Sequence, residues 1–302
     1  MFQSLGEYDK AKEYLEKALA ITIQIGHKEG EAADCGNLGI VFLCLGEYDK
    51  AKEYLEKALT IRIQIGDKRE EAGDFGNLGT VFVSLGEYDK AKEYLEKALA
   101  IRIQTGDKRG EATDYGTLFQ SLGKYDKAKE YLEKGLAIRI QIGDKQGEAA
   151  HYGILGTVFQ LLGEHDRAKE YRERALAIRI QIGDKQGEGE DYGNLGTVFQ
   201  SLGEYDKAIE YLEKALAITI QIGDKKGEAR AYGNLGTVFN YLGEYDKAKE
   251  YLEKALAIKI QIGDKDGEVA DYGNLGALYQ SLGKYVVAEG YTKKALSIIR
   301  GI

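Results

Sequence analysis

The 302-residue chain has no proline and no tryptophan, one methionine, two cysteines and three histidines. Cys35 and Cys44 are too few for a disulfide framework and have no metal-site spacing, which fits a reducing compartment. His27, His151 and His165 fall on three different positions of a repeat and form neither a metal cluster nor a triad. No stretch approaches the roughly 18 apolar residues of a membrane span, and the opening "MFQSLGEYDK" has no apolar signal-peptide core. Every Asn is followed by Leu or Tyr and then Gly or Leu, so no N-glycosylation acceptor exists. A basic excess is also missing. The net charge is −8 and the pI near 5.2, so basic partners are electrostatically easier than nucleic acid. These absences predict a cytoplasmic chain without cofactor, metal, membrane insertion or nucleic-acid partner.

What is present is 43% hydrophobic residues, 39 Gly and 22 Tyr, enough apolar side chain to bury a core. The glycines recur at fixed positions. The anchor "LG-x-Y/H" places Gly at 6, 46, 86, 123, 163, 203, 243 and 283, a spacing of 40 residues with one interval of 37. A period of this length means stacked supersecondary units, so the chain grows by addition and is not two ordinary domains. The units are 27–66, 67–106, a shortened 107–143, 144–183, 184–223, 224–263 and 264–302, after an orphan half-unit 1–26.

Unit 184–223 shows the pattern. Ala208, Tyr211, Leu212, Ala215, Leu216, Ile218 and Ile222 follow helical spacing and predict a helix B over about 206–222. Asp206 is placed as its N-cap and Gly223 as its C′ glycine. "ITIQI" continues that helix, because no breaker separates it. Gly193 and Gly196 each cost a helix about 1 kcal/mol relative to Ala, yet Tyr192, Leu195, Gly196, Phe199 and Leu202 share one stripe, predicting a helix A over about 186–202. Glycine on a buried stripe admits a close neighbour. Asp184 and Glu188 suit its first turn.

Leu195, Gly196, Phe199, Gly203, Tyr205, Ala208, Leu212 and Ala215 stand at the signature spacing of the tetratricopeptide repeat family, which the chain resembles over essentially its whole length. The resemblance implies an all-α fold, an α-solenoid winding a right-handed superhelix of antiparallel helix pairs. The family's usual unit is shorter and carries a proline near the end of helix B. Here "IQIGDK" lengthens that end, as in the Pins/LGN adaptor group and large animal repeat arrays. The G-protein-binding motifs of the LGN group have no counterpart in the sequence.

The resemblance also implies that A helices line a concave groove. Glu190, Gly193, Asn194, Thr197, Gln200 and Ser201 occupy the groove positions. Asn194 matches a groove asparagine that binds an extended peptide backbone or terminal carboxylate in relatives, and Asn37, Asn77, Asn234 and Asn274 are its equivalents. An amide donates and accepts, as a peptide backbone does. The alternative is that these asparagines only link adjacent A helices. The groove lining begins apolar at Ala33, Ile40, Leu43, Cys44 and Val83. It turns polar at Gln160, Arg230, Thr237, Asn240 and Gln280, with Tyr241 adding an aromatic ring. A ligand is therefore expected to set apolar side chains on the first two repeats and polar ones beyond. Lysines of the chaperone-binding clamp are missing, so chaperone tails are not expected.

Unit 107–143 lacks three residues. Aligned backward from Gly123, Gly116 takes the small core slot, Asp114 replaces the asparagine, and helix A is expected to lose almost a turn at its start, so that the entering loop rotates by about 60° or tightens and leaves a defect in the superhelix. Ile154 replaces the next asparagine, splitting the ladder into 37/77 and 194/234/274. "DFG" at 74–76 is a variant of "DYG" without the other kinase motifs. The first unit shows a helix B without its partner, and Val286 and Val287 replace the usual Asp-Lys near the end. Neither end reads as a polar cap, which suggests a fragment of a longer array or end-to-end self-association. The chain is thus expected to be a non-enzymatic scaffold binding a peptide segment of a protein partner in its groove. The alternative is a structural segment that assembles through its ends or convex face.

Overall fold

In five repeats helix A begins where an aspartate side chain satisfies one of the first free backbone donors, whereas His27 makes no such cap. Asp184 accepts from the Gly187 amide at 3.0 Å, and Asp224 from Gly227 at 3.0 Å. Helix B ends where glycine reverses the chain: Gly223 sits at φ 73°, a left-handed conformation that other residues rarely adopt. The computed structural model describes residues 8–121 and 125–301, with side chains at 8–118 and 129–301. Among these, fifteen α-helices and no strand are found.

The helices form two compact units, Met1–Asp144 and Lys145–Ile302. The first holds α1 (Tyr8–Gln24), α2 (Lys28–Cys44), α3 (Tyr48–Ile65), α4 (Lys68–Ser84), α5 (Tyr88–Thr105), α6 (Lys108–Ser121) and α7 (Tyr125–Gln141). The second holds α8 (Lys145–Leu161), α9 (His165–Ile182), α10 (Lys185–Ser201), α11 (Tyr205–Ile222), α12 (Lys225–Tyr241), α13 (Tyr245–Ile262), α14 (Lys265–Ser281) and α15 (Tyr285–Arg300). Even-numbered helices are A and odd-numbered ones B. Each A packs along the B that follows, and within a unit the next A packs on that B, so each unit is an α-solenoid of antiparallel pairs.

Leu195, Phe199, Ala208, Leu212, Leu235, Val238 and Leu252 share one buried cluster in the second unit; Leu38, Phe42, Leu55, Leu78 and Phe82 form its counterpart in the first. Gly196 is what lets A and B meet: a Cβ there would lie 2.6 Å from Leu212 Cγ and 3.3 Å from the Ala208 carbonyl oxygen. Rings add a second layer. Tyr211 packs between Tyr192 (5.7 Å) and Phe199 (4.9 Å).

Four expectations need correction. Ile222 is 40% exposed, because the core stripe of α11 stops at Ile218 and Thr219. Asp206 is not a cap: Tyr205 already opens the helix, and the Glu204 carbonyl accepts from Ala208 N–H at 3.0 Å, so Asp206 lies inside the first turn. Val198, missing from the expected stripe, is fully buried. The shortened helix α6 is in register at its start, not its end. Gly106 keeps φ 74°, Asp107 caps Gly110 at 3.0 Å, Asp114 pairs with Arg102 as Asp74 does with Arg62, and Leu118 is buried like Leu78. Asp114 therefore stands in the buried Asp position, Gly116 matches Gly76, and the three residues are lost after Leu118. The entering loop does not turn. The expected defect concerns the link after α6, where residues 122–124 lie outside the described residues, as do residues 1–7 of the expected first half-unit.

Candidate interaction groove

On α10 the less-buried stripe is Glu190, Asn194, Thr197 and Ser201, opposite Leu195, Gly196, Val198 and Phe199, which face the B helices. Asn194 and its equivalents Asn77, Asn234 and Asn274 are half-buried, and Asn37 is exposed. The side-chain amides of Asn37, Asn77, Asn194 and Asn234 make no hydrogen bond to described residues. The half-buried Thr197 and Thr237 bond back to the Asn194 and Gly233 carbonyls, at 2.7 and 3.0 Å. Gln160 donates to the Thr197 hydroxyl across neighbouring A helices at 3.3 Å.

The remaining expected groove residues are placed unevenly. Glu190 and Arg230 come together in a polar cleft of about 410 Å³ with Gln186, Lys226 and Lys259. Gln200 is half-buried and Gln280 exposed. Asn240 keeps its Oδ1 buried without a partner. Tyr241 is 64% exposed, but one face of its ring stacks on Tyr205 at 6.1 Å. In the first unit Ile40 is half-buried, Leu43 and Val83 pack onto the core, and Ala33 and Cys44 are exposed.

Sequence reasoning missed a polar junction between successive repeats. At four junctions a cation near the end of helix B reaches an aspartate buried in the next helix A. Arg62 meets Asp74, Arg102 meets Asp114 at 2.8 Å, Arg179 meets Asp191 at 3.3 Å and Lys259 meets Asp271 at 2.9 Å. Arg102 and Arg179 also donate to the Gly110 and Gly187 carbonyls at 2.7 Å, passing where a Cβ would clash. Where Ala231 replaces the aspartate, Thr219 replaces the cation. Where His151 replaces it, Arg139 turns to Asp144 and to the Thr113 hydroxyl, and His151 bonds the Gly147 carbonyl. The paired Thr219/Ala231 exchange was the available signal, and it is not matched elsewhere: Thr22 faces a retained Asp34 at 3.1 Å and Arg139 is kept where His151 stands. Burial pushes the Asp74 and Asp114 carboxyls up to about 7 and Asp191 to about 6, with the arginines pulling the other way; Asp271 is raised for the same reason.

Seven overlapping stretches match a tetratricopeptide repeat model: 1–64, 36–104, 75–141, 108–181, 147–221, 191–261 and 227–301. The chain belongs to the tetratricopeptide repeat family. Comparison with curated proteins gives no match. Among solved structures, the fold is similar to the apo quorum sensor NprR from B. thuringiensis (TM-score 0.76, 17% identity, 96% of this chain and 83% of that one). It is also similar to a Rap protein complexed with Competence and Sporulation Factor (0.64, 16%, 91% and 75%). A third is the Rap conjugation gene regulator of plasmid pLS20 in complex with the Phr* peptide (0.63, 16%, 91% and 76%). At these identities the likeness is one of tetratricopeptide fold, and it does not carry the finer resemblance to the Pins/LGN group. Among the described residues no group of three or more His, Cys, Asp or Glu is placed to hold a metal, and no helix is long and apolar enough to cross a membrane.

Proposed function

We propose that the chain is a non-enzymatic interaction scaffold whose A-helix face binds a peptide segment of a protein partner. The observation that carries this is the pair of half-buried amides at Asn194 and Asn234, one per repeat, with no hydrogen bond to described residues. Asparagine is a poor residue in mid-helix. A partly buried amide with no partner forgoes about 0.5–1.5 kcal/mol of net bonding that a peptide backbone can supply. A Rap protein of similar fold is seen with the Phr* peptide, which makes a peptide the reasonable class of ligand. Peptides selected by display on this chain are expected to bind an Asn194→Ala/Asn234→Ala variant several-fold more weakly at an unchanged melting temperature. Unchanged affinity in the variant, or a lower melting temperature with no selectable ligand, contradicts the reading.

A second reading has its own observation. Ile180, Ile220 and Ile260 on the B helices are each about half exposed, with Ile182, Ile222 and Ile262 beside them. A regular apolar row on the outer face suits assembly with other chains. Sedimentation of an Ile180→Lys/Ile220→Lys/Ile260→Lys variant tests it: the reading expects association in the parent chain and its loss in the variant.

A further inference from the structure

Six helix pairs repeat one aromatic arrangement, and a seventh leaves it incomplete. A tyrosine of helix B receives a ring from helix A: Phe75 on Tyr94, Tyr115 on Tyr131, Tyr152 on Tyr171, Tyr192 on Tyr211, Tyr232 on Tyr251 and Tyr272 on Tyr291, all with centroids between 5.7 and 6.2 Å. In most of these pairs a cation covers both rings, as Lys214 does at 5.6 Å from Tyr192 and 5.1 Å from Tyr211. In the pair α2–α3 the helix A position is Cys35. Tyr54 keeps its other neighbour, Phe42, at 5.3 Å, and Lys57 still lies 5.2 Å over its ring. Tyr54 has not collapsed into the gap. A surface cleft of about 670 Å³ remains there, lined by Leu19 and Ile23 of α1, Cys35, Tyr54, Lys57 and Ile61.

We infer that this cleft, which opens between the B helices α1 and α3, is a docking slot for an aromatic side chain of a protein partner, flanked in that partner by basic residues. The ring class follows from the molecule itself, which fills the equivalent slot with Tyr or Phe six times and surrounds it with the same tyrosine and a cation. The basic flank follows from the rim. Glu31, Glu53 and Glu56 border the cleft; Lys28 and Lys57 engage the first two, and Glu56 has no ion pair with a described residue. The slot is in the first unit and does not use the amides of Asn194 and Asn234, so failure of either proposal leaves the other standing.

The test uses the whole chain with methyl-labelled Leu and Ile and three probes: acetylated, amidated Lys-Tyr-Lys, Lys-Ala-Lys and Glu-Tyr-Glu. Lys-Tyr-Lys is expected to shift the methyls of Leu19, Ile23 and Ile61 saturably, and Lys-Ala-Lys to leave them in place. Glu-Tyr-Glu should bind more weakly than Lys-Tyr-Lys. Cys35→Tyr completes the stack, so it is expected to raise the melting temperature and to weaken Lys-Tyr-Lys by roughly tenfold or more. Cys35→Ala keeps the slot open and should bind as the parent does. Unmoved methyls with Lys-Tyr-Lys, unchanged affinity in Cys35→Tyr, or a lowered melting temperature for that variant each overturn the slot; equal binding of Glu-Tyr-Glu overturns the basic flank.

Discussion

Gly196 and Gly73 are the same residue in the same kind of helix, yet their surroundings give opposite predictions. A Cβ on Gly196 meets Leu212 at 2.6 Å and the backbone of α11, whereas a Cβ on Gly73 meets nothing within 4 Å. Gly196→Ala is therefore expected to destabilise by about 1–3 kcal/mol through overpacking, even after the helix-propensity gain. Gly73→Ala should stabilise by about 0.5–1 kcal/mol. Ala33 and Ala270 already occupy the position of Gly73 in other repeats. Urea denaturation of both variants checks the pair; a stabilising Gly196→Ala would refute close A–B packing at that glycine. The role of Gly196 was legible from its place on the apolar stripe. The dispensability of Gly73 was not, since only the neighbouring atoms decide it.

Between elements, the buried cation–aspartate junction dominates. Asp74→Ala leaves the buried Arg62 guanidinium with only the half-exposed Glu70 carboxylate at 3.6 Å and the Glu70 carbonyl at 3.3 Å, which costs roughly 3 kcal/mol. Arg62→Thr/Asp74→Ala copies the Thr219/Ala231 junction and is expected to recover most of that loss. A thermal melt of the single and double variants measures the coupling. The pH dependence follows from burial. The carboxyls of Asp74, Asp114 and Asp191 lie at about 7, 7 and 6 in the fold against 3.8 ordinarily, so the folded chain holds protons that the unfolded chain releases. Their stabilising contribution is complete below about pH 4. It is lost as pH rises through 6 and 7. The melting temperature should thus fall between pH 5.5 and 8, and Asp74→Asn/Asp114→Asn should flatten that fall. The element boundaries were largely readable: helices A and B expected near 186–202 and 206–222 lie at Lys185–Ser201 and Tyr205–Ile222. The shortened unit was misread because it was aligned on Gly123. Its register is fixed from the other end by Arg102–Asp114, a contact between units that no local pattern displays.

Across the whole molecule, the net charge of −8 acts on encounter more than on fold. A lysine-bearing peptide should associate faster at low salt and slow markedly as ionic strength rises toward 1 M, where the screening length shrinks to about 3 Å. Stopped-flow association over a salt series reads this directly, and a rate insensitive to salt would remove electrostatic steering from the account. The repeat period, the helix-pair architecture and the membership of the tetratricopeptide family were determined by the sequence alone. A side-chain pattern repeated every 40 residues fixes its own local structure and nearest-neighbour packing. Tertiary structure alone decided which aspartates are buried against which cations, where the three-residue deletion falls, and that Cys35 leaves a cleft instead of a closed core. Each of these depends on atoms from two or three helices meeting in space, and such distances are not written in the periodicity of any one of them.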